Sequence, residues 1–246
     1  MDCTGKVCRR NCGNWESGGR GASRWRKSEW RSVTGEAGEV RGVRIAGYVL
    51  AGGGSTRFGS DKALAEIDGK PMVARMCELL RVALGEVTVV ATPEKYPGLC
   101  APIVADGWPG EGPLGGIVTA LRTTAAKDAA REWNLILSCD MPFLTTEWME
   151  FLAARAAKSA AQVVVPKSDY GLEPLCACWR TDSVDILQAA FEGGVRKVTE
   201  ALKRVSTEVL DEADWKRFDS AGRLFWNMNT PADYEEARRI LEAEQR

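Results

Sequence analysis

The residues best suited to chemistry lie in one run, Leu50-Ala-Gly-Gly-Gly-Ser-Thr-Arg57-Phe-Gly-Ser-Asp-Lys62. Three glycines follow an apolar stretch, and Gly59 comes shortly after. Glycine tolerates positive φ and lets a ligand approach the backbone closely. Successive free N–H groups in such a turn form an anion-binding concavity. Arg57 and Lys62 add positive charge beside it, so the combination suits a triphosphate. Two familiar phosphate loops do not fit. A Walker A loop carries Lys directly after its second glycine, whereas Ser60-Asp61-Lys62 follows Gly59 here. A dinucleotide fingerprint needs glycine at its first, third and sixth positions; Gly52 and Gly54 fit, but the sixth position is Arg57.

Two aspartates complete the candidate chemistry. Asp140 follows the apolar run Trp133–Ser138, and Asp106 follows Ile103–Val104 and precedes a Gly/Pro-rich segment. Phosphoryl chemistry needs a hard cation on the phosphate oxygens, and carboxylates are its protein ligands. The same residues also suit turns or helix caps. The chain has no histidine, which excludes a Ser–His–Asp triad, a Cys–His dyad and a histidine zinc site. None of its eight cysteines is spaced C-x-x-C. The expectation is reduced thiols, several of them buried as small apolar residues.

The elements that must position these groups can be read from apolar spacing. Ile45–Leu50 predicts a first strand, Glu86–Ala91 a second and Ile103–Val104 a short third. Pro71 opens a helix with Met72, Met76, Leu79, Leu80 and Ala83 on one face. Leu114, Ile117, Val118 and Leu121 predict another. Trp133–Ser138 has the continuous apolar character of a central parallel strand. Thr145 or Thr146 caps a helix that turns Trp148, Phe151 and Leu152 inward. Further strands are expected at Val163–Val165, Leu175–Trp179, Glu208–Leu210 and Leu224–Met228. Helices are expected over roughly 182–191, over Val195–Leu202, and from Thr230-Pro231 to the C-terminus. Such alternation predicts a three-layer α/β fold, a mostly parallel twisted sheet with helices on both faces. Ligands in such folds bind at the carboxyl ends of the strands.

Net charge is −1, so no overall field points to nucleic acid or membrane. Residues up to Arg44 carry ten Lys/Arg and five Asp/Glu, a local +5 that leaves −6 for the rest. Residues 1–43 also hold Trp15, Trp25 and Trp30 without a period, and are expected to be a disordered basic extension. Residues 44–246 are expected to form the folded domain. There is no apolar run long enough to span a bilayer and no signal-peptide centre, so a cytoplasmic protein is expected.

At this point the motifs carry a resemblance. Leu50-Ala-Gly-Gly-x-Ser-x-Arg57-x-Gly-x-Asp61-Lys62 and Asp68-Gly-Lys-Pro71 resemble the opening signature of the molybdenum cofactor guanylyltransferases, the MobA type. Gly112-Pro-Leu-Gly-Gly-Ile117, Cys139-Asp-Met-Pro142, Glu173-Pro-Leu175 and Asn227-x-Asn-Thr-Pro231 follow in that family's order. The likeness covers about residues 45–240. It implies a Rossmann-like nucleotidyltransferase fold and transfer of GMP from GTP to molybdopterin-bound molybdenum, with pyrophosphate released. It further implies that Leu50, Ala51 and Gly52 lie against the guanine, that Gly53 belongs with them to the nucleotide-binding loop, and that Arg57 and Lys62 hold phosphates. Asp106 would place the nucleotide, Asp140 would bind Mg2+, and Arg196, Asn227 and Asn229 would face molybdopterin. Transient contact with molybdoenzymes or their chaperones is implied as well. One departure stands out: the asparagine that the family often has after the second strand is missing from Val89-Val90-Ala91-Thr92, leaving Thr92 as the polar candidate there. Alternatives to this function are CTP as donor, a sugar phosphate as acceptor, or a non-catalytic nucleotide-binding module.

Overall fold

In the computed structural model the sheet has nine strands among the described residues; the two-residue strands Glu39–Val40 and Gly171–Leu172 pair at its side, and seven form its continuous path: β1 (Val43–Leu50), β2 (Thr88–Val90), β3 (Ile103–Val104), β4 (Arg131–Ser138), β5 (Val163–Ser168), β6 (Cys176–Arg180) and β7 (Thr207–Leu210). The structure describes residues 39–40, 43–52, 61–128, 130–219 and 221–244. These belong to one unit, Val33–Arg246. The strand order is β7-β5-β6-β4-β1-β2-β3. Neighbours are parallel except β6, which runs antiparallel to both β4 and β5. Pairing starts upstream of the expected boundary at Arg44, because Glu39–Val40 forms a two-residue strand against Val43–Arg44. The rest of the expected extension, residues 1–38 and 41–42, lies outside the described residues.

Five longer helices cover the sheet: α1 (Met72–Leu84), α2 (Pro113–Lys127), α3 (Thr146–Ala156), α4 (Val184–Glu192) and α5 (Pro231–Glu244). Alternation along each strand sorts them into two layers. Ile45 and Val49 of β1 join Leu135 and Leu137 of β4 in a core with α1, α3 and α5. Ala46 and Tyr48, the residues between, join Ile136 and the apolar stripes of α2 and α4. Successive side chains on a strand point to opposite faces, so both faces of β1 and β4 are buried, and their unbroken apolar runs follow.

Local chemistry sets the element ends. Pro71 stands at the N-cap of α1, and Gly85, at φ 82°, ends it by donating its N–H to the Arg81 carbonyl. Asp68 and Gly69 both have positive φ, 54° and 69°. They form the tight turn of a small hairpin, Glu66–Ile67 with Lys70–Pro71, as an Asp-Gly pair favours. Thr145, rather than Thr146, caps α3, its Oγ1 accepting from the Trp148 N–H at 3.2 Å. The Thr230 hydroxyl accepts from the Asp233 N–H, and the Asp233 carboxylate accepts from the Thr230 N–H, a reciprocal box that starts α5.

Two expectations are corrected. Leu224–Met228 is not a strand: Leu224, Phe225 and Met228 are buried, but the segment pairs with no strand. It packs as irregular chain on the α1/α3 side of the core, because apolar content marks burial without fixing backbone shape. The helix expected over Val195–Leu202 is confined to Val198–Ala201, with a 3₁₀ turn over Leu202–Arg204. Its first residues do not wind, since Arg196 is turned back onto the Phe191 carbonyl at 2.6 Å. Among the described cysteines, Cys77, Cys139, Cys176 and Cys178 are buried free thiols, and Cys100 is exposed. Among the described residues no helix is long and apolar enough to cross a membrane.

Candidate nucleotide and acceptor clefts

The carboxyl ends of β1, β2, β3 and β4 share one edge of the sheet, because these strands are parallel. A cavity of about 430 Å³ opens there, floored by Leu50, Val90, Ser138 and Leu175. It gathers most of the residues singled out from sequence: Leu50, Ala51, Gly52, Lys62, Asp106 and Asp140 all line it. Gly53 and Arg57 lie outside the described residues. The wall facing β1 is the start of α2, where a Cβ on Gly116 would stand 3.3 Å from Leu50 Cδ1. Glycine suits that close contact, and the open N-terminus of α2, Gly112-Pro113, joins the lining. Helix N-termini favour anions.

Asp106 holds a double position. Its Oδ1 accepts the Trp108 N–H at 3.0 Å, the turn role its surroundings suggest. Its Oδ2 faces Gly52, where a Cβ would lie only 3.1 Å away. Asp140 does not cap α3. Its Oδ1 accepts a 2.5 Å hydrogen bond from the Ser138 hydroxyl, and its Oδ2 faces the Lys62 ammonium at 4.0 Å. The Met228 N–H donates to the Asp140 carbonyl at 2.8 Å, which fixes the backbone beneath the carboxylate. Ser138 was missed by sequence reasoning, although a serine two residues before an aspartate at a strand end was a usable signal.

A second cleft, about 580 Å³, adjoins the first. Gly112, Pro113, Asp140 and Leu175 line both, so Asp140 stands at the junction. Arg196 and Asn227 line the second cleft. Arg196 is braced by Glu111 at 2.8 Å and lies 4.1 Å over the Phe191 ring. Asn227 donates to the Phe225 carbonyl at 3.1 Å. Asn229 is not in that lining; it accepts from Lys62 Nζ at 3.1 Å and reaches the first cleft through the lysine. Neither asparagine side chain caps α5, because Thr230 and Asp233 do so.

Glu173, also missed, is a buried carboxyl in the second cleft, hydrogen-bonded by Ser168 Oγ at 2.6 Å. Burial pushes its pKa above the usual glutamate range; the Ser168 bond opposes the shift and the charge of Asp140 adds to it. Cys139, buried beside Asp140, has its thiol pKa pushed up by burial and then by that charge. Thr92, the polar candidate after β2, is exposed and outside the lining, and β2 contributes Val90 instead.

Among the described residues no group of three or more His, Cys, Asp or Glu gathers as a metal cage. A single carboxylate is still compatible with Mg2+, which completes its shell with phosphate oxygens and water. Asp140 could hold such an ion. The arrangement is therefore a strand-end cleft, largely apolar but carrying Lys62, Asp106 and Asp140, that is joined at Asp140 to a second cleft.

Comparison with known proteins agrees with that geometry. Residues 47–205 match the family model described as a MobA-like NTP transferase domain. A probable molybdenum cofactor guanylyltransferase of Carboxydothermus hydrogenoformans is 30% identical over 193 residues, spanning 78% of this chain and 94% of the relative. Its counterpart in Mycobacterium tuberculosis is 37% identical over 163 residues, 64% of this chain and 78% of the relative. The crystal structure of molybdopterin-guanine dinucleotide biosynthesis protein A from Archaeoglobus fulgidus superposes with a TM-score of 0.67 at 27% identity, covering 80% of this chain and 99% of that one.

Proposed function

The chain belongs to the MobA-like NTP transferase family and is a nucleotidyltransferase; on that premise we propose that it transfers GMP from GTP to molybdopterin-bound molybdenum. The products are pyrophosphate and the guanine dinucleotide form of the cofactor. The supporting observation is the pair of clefts that meet at Asp140, one lined by Leu50, Gly52 and Lys62 and the other by Arg196 and Asn227.

In this reading the base lies along Leu50–Gly52, and Asp106 steadies the nucleotide from across the cavity. Lys62 holds the triphosphate, with Arg57 as a second cation by its place in the motif. Asp140 holds Mg2+, which when bound neutralises charge on the phosphate oxygens. The terminal phosphate of molybdopterin enters from the cleft of Arg196 and Asn227, with Asn229 alongside through Lys62. One of its oxygens bonds to the α-phosphorus in line with the departing group. The bond from that phosphorus to the β-phosphate bridging oxygen breaks, and its electron pair leaves with pyrophosphate. The nucleophile is already an anion, so no general base is needed, which agrees with a chain that has no histidine. Catalysis rests on positioning and charge neutralisation.

The test is incubation with molybdopterin, molybdate, Mg2+ and each of the four nucleoside triphosphates, with the product identified by mass. A guanine dinucleotide from GTP is expected. A cytosine dinucleotide would reassign the donor, transfer only to a sugar phosphate would reassign the acceptor, and tight GTP binding without turnover would mark a binding module. The Gly52–Asp106 approach gives a narrower expectation. Gly52→Ala crowds the Asp106 carboxylate by a few tenths of an ångström, and the nucleotide KM should rise about tenfold. An unchanged nucleotide KM would show that Asp106 plays no part in placing the nucleotide.

A further inference from the structure

Tyr96 joins the two segments that build the nucleotide side of the cavity. It follows the 3₁₀ turn Pro93–Lys95 after β2 and is buried. Its hydroxyl donates to the Ala51 carbonyl at 2.7 Å and lies 3.0 Å from Asp61 Oδ2. Ala51 and Gly52 continue β1 into the cavity, and Asp61 precedes Lys62. One phenol therefore touches both the backbone of the base-side wall and the residue next to the phosphate-side lysine. It does not itself line the cavity, so it acts through its neighbours.

The polar balance of this bridge is specific. A phenol has a single hydrogen, and both of its partners accept. The nearer, Ala51, takes the hydrogen, and the more distant carboxylate shares it. The Lys95 ammonium lies 2.8 Å from the same Asp61 oxygen and holds it in place from the other side. The other Asp61 oxygen accepts the Ala63 N–H at 3.1 Å and starts the 3₁₀ turn Lys62–Leu64. Burial, with the adjacent Asp61 charge, raises the pKa of the Tyr96 hydroxyl, so it remains a donor at any working pH. The chain of contacts runs from Ala51 through Tyr96 to Asp61, and from there to the turn that aims Lys62.

We propose that Tyr96 is a positioning residue for nucleotide binding, setting Ala51–Gly52 and Lys62 at the separation the nucleotide requires. This rests on the reading of that cavity as the nucleotide site. It gives a polar role to the segment after β2 even though Thr92 does not reach the ligand cavity.

The test compares wild type, Tyr96→Phe and Asp61→Asn in the full chain, with GTP and Mg2+, by calorimetric binding, steady-state kinetics and thermal unfolding. Tyr96→Phe should weaken GTP binding and raise the nucleotide KM about tenfold, the scale of one lost buried hydrogen bond. The acceptor KM should stay at the wild-type value, and amide exchange at residues 51–52 and 61–65 should quicken. Asp61→Asn probes the same bridge without touching the buried ring. The double variant should cost less than the sum of the two, since both break one contact. An unchanged nucleotide KM in Tyr96→Phe, an equal rise in both KM values, or strict additivity overturns the proposal. The wild-type control separates the two readings. If wild type binds GTP and Tyr96→Phe binds equally well, only the bridge fails. If wild type binds no nucleoside triphosphate, the nucleotide reading fails and the bridge falls with it.

Discussion

Asp140→Asn is expected to lower nucleotidyl transfer about 10²–10³-fold, the usual cost of deleting one charge-stabilising group from a preorganised site. The substitution keeps the shape of the side chain and an oxygen that can still accept from Ser138 Oγ. The Asp140 carbonyl, which anchors Met228, is untouched, so the melting temperature should stay within a few degrees of wild type. What disappears is the negative charge at the junction of the two clefts. Two readouts should move together: the single-turnover rate falls, and the Mg2+ concentration for half-maximal rate rises. A variant transferring at the wild-type rate with the same Mg2+ requirement would remove Asp140 from the catalytic assignment.

Lys62→Met should lower kcat/KM for the nucleotide by about 10²-fold. Its ammonium lies between Asp140 Oδ2 at 4.0 Å and Asn229 Oδ1 at 3.1 Å. Methionine keeps much of the stem and removes the charge, so lost packing contributes little. The loss should divide unequally: a large rise in nucleotide KM with a fall in kcat, and a smaller rise in acceptor KM because Asn229 loses a partner. Arginine should restore activity only in part, since a planar guanidinium does not reproduce a compact ammonium. In the double variant with Asp140→Asn the losses should fall short of additive, because the two groups face each other at 4.0 Å. If acceptor KM alone changed, Lys62 would belong to the other half of the site.

Much of this was legible in the sequence, for identifiable physical reasons. β1 and β4 were readable because strands buried on both faces lose polar alternation altogether. Asp140 stood out because it ends such a run, and Asp106 because it follows the short apolar pair Ile103–Val104; parallel strands deliver both ends to one edge. The helix starts at Pro71, Thr145 and Thr230 were readable because caps are local chemistry. Leu224–Met228 was misread because a buried irregular segment and a buried strand share one composition. The reversed direction of β6 had no signal, since Cys176–Arg180 has the same apolar content either way up. Tyr96, Ser138 and Glu173 escaped for another reason. Their importance lies in partners brought close by folding, such as Ala51 for Tyr96, 45 residues away.

The reversed strand β6 also bears on how such a protein can change over generations. In a wholly parallel sheet only departing connections reach the productive edge, and each must travel back through a helix. Because β6 runs the other way, Ser168 and Cys176 both lie at that edge, joined by the short connection that contains Gly171, Leu172, Glu173 and Leu175. That connection can lengthen, shorten or change its side chains with no rewiring of the sheet and no disturbance to the segment around Lys62. A lineage can thus reshape the second cleft by editing one hairpin, with Leu175 the one residue of that connection that also floors the first.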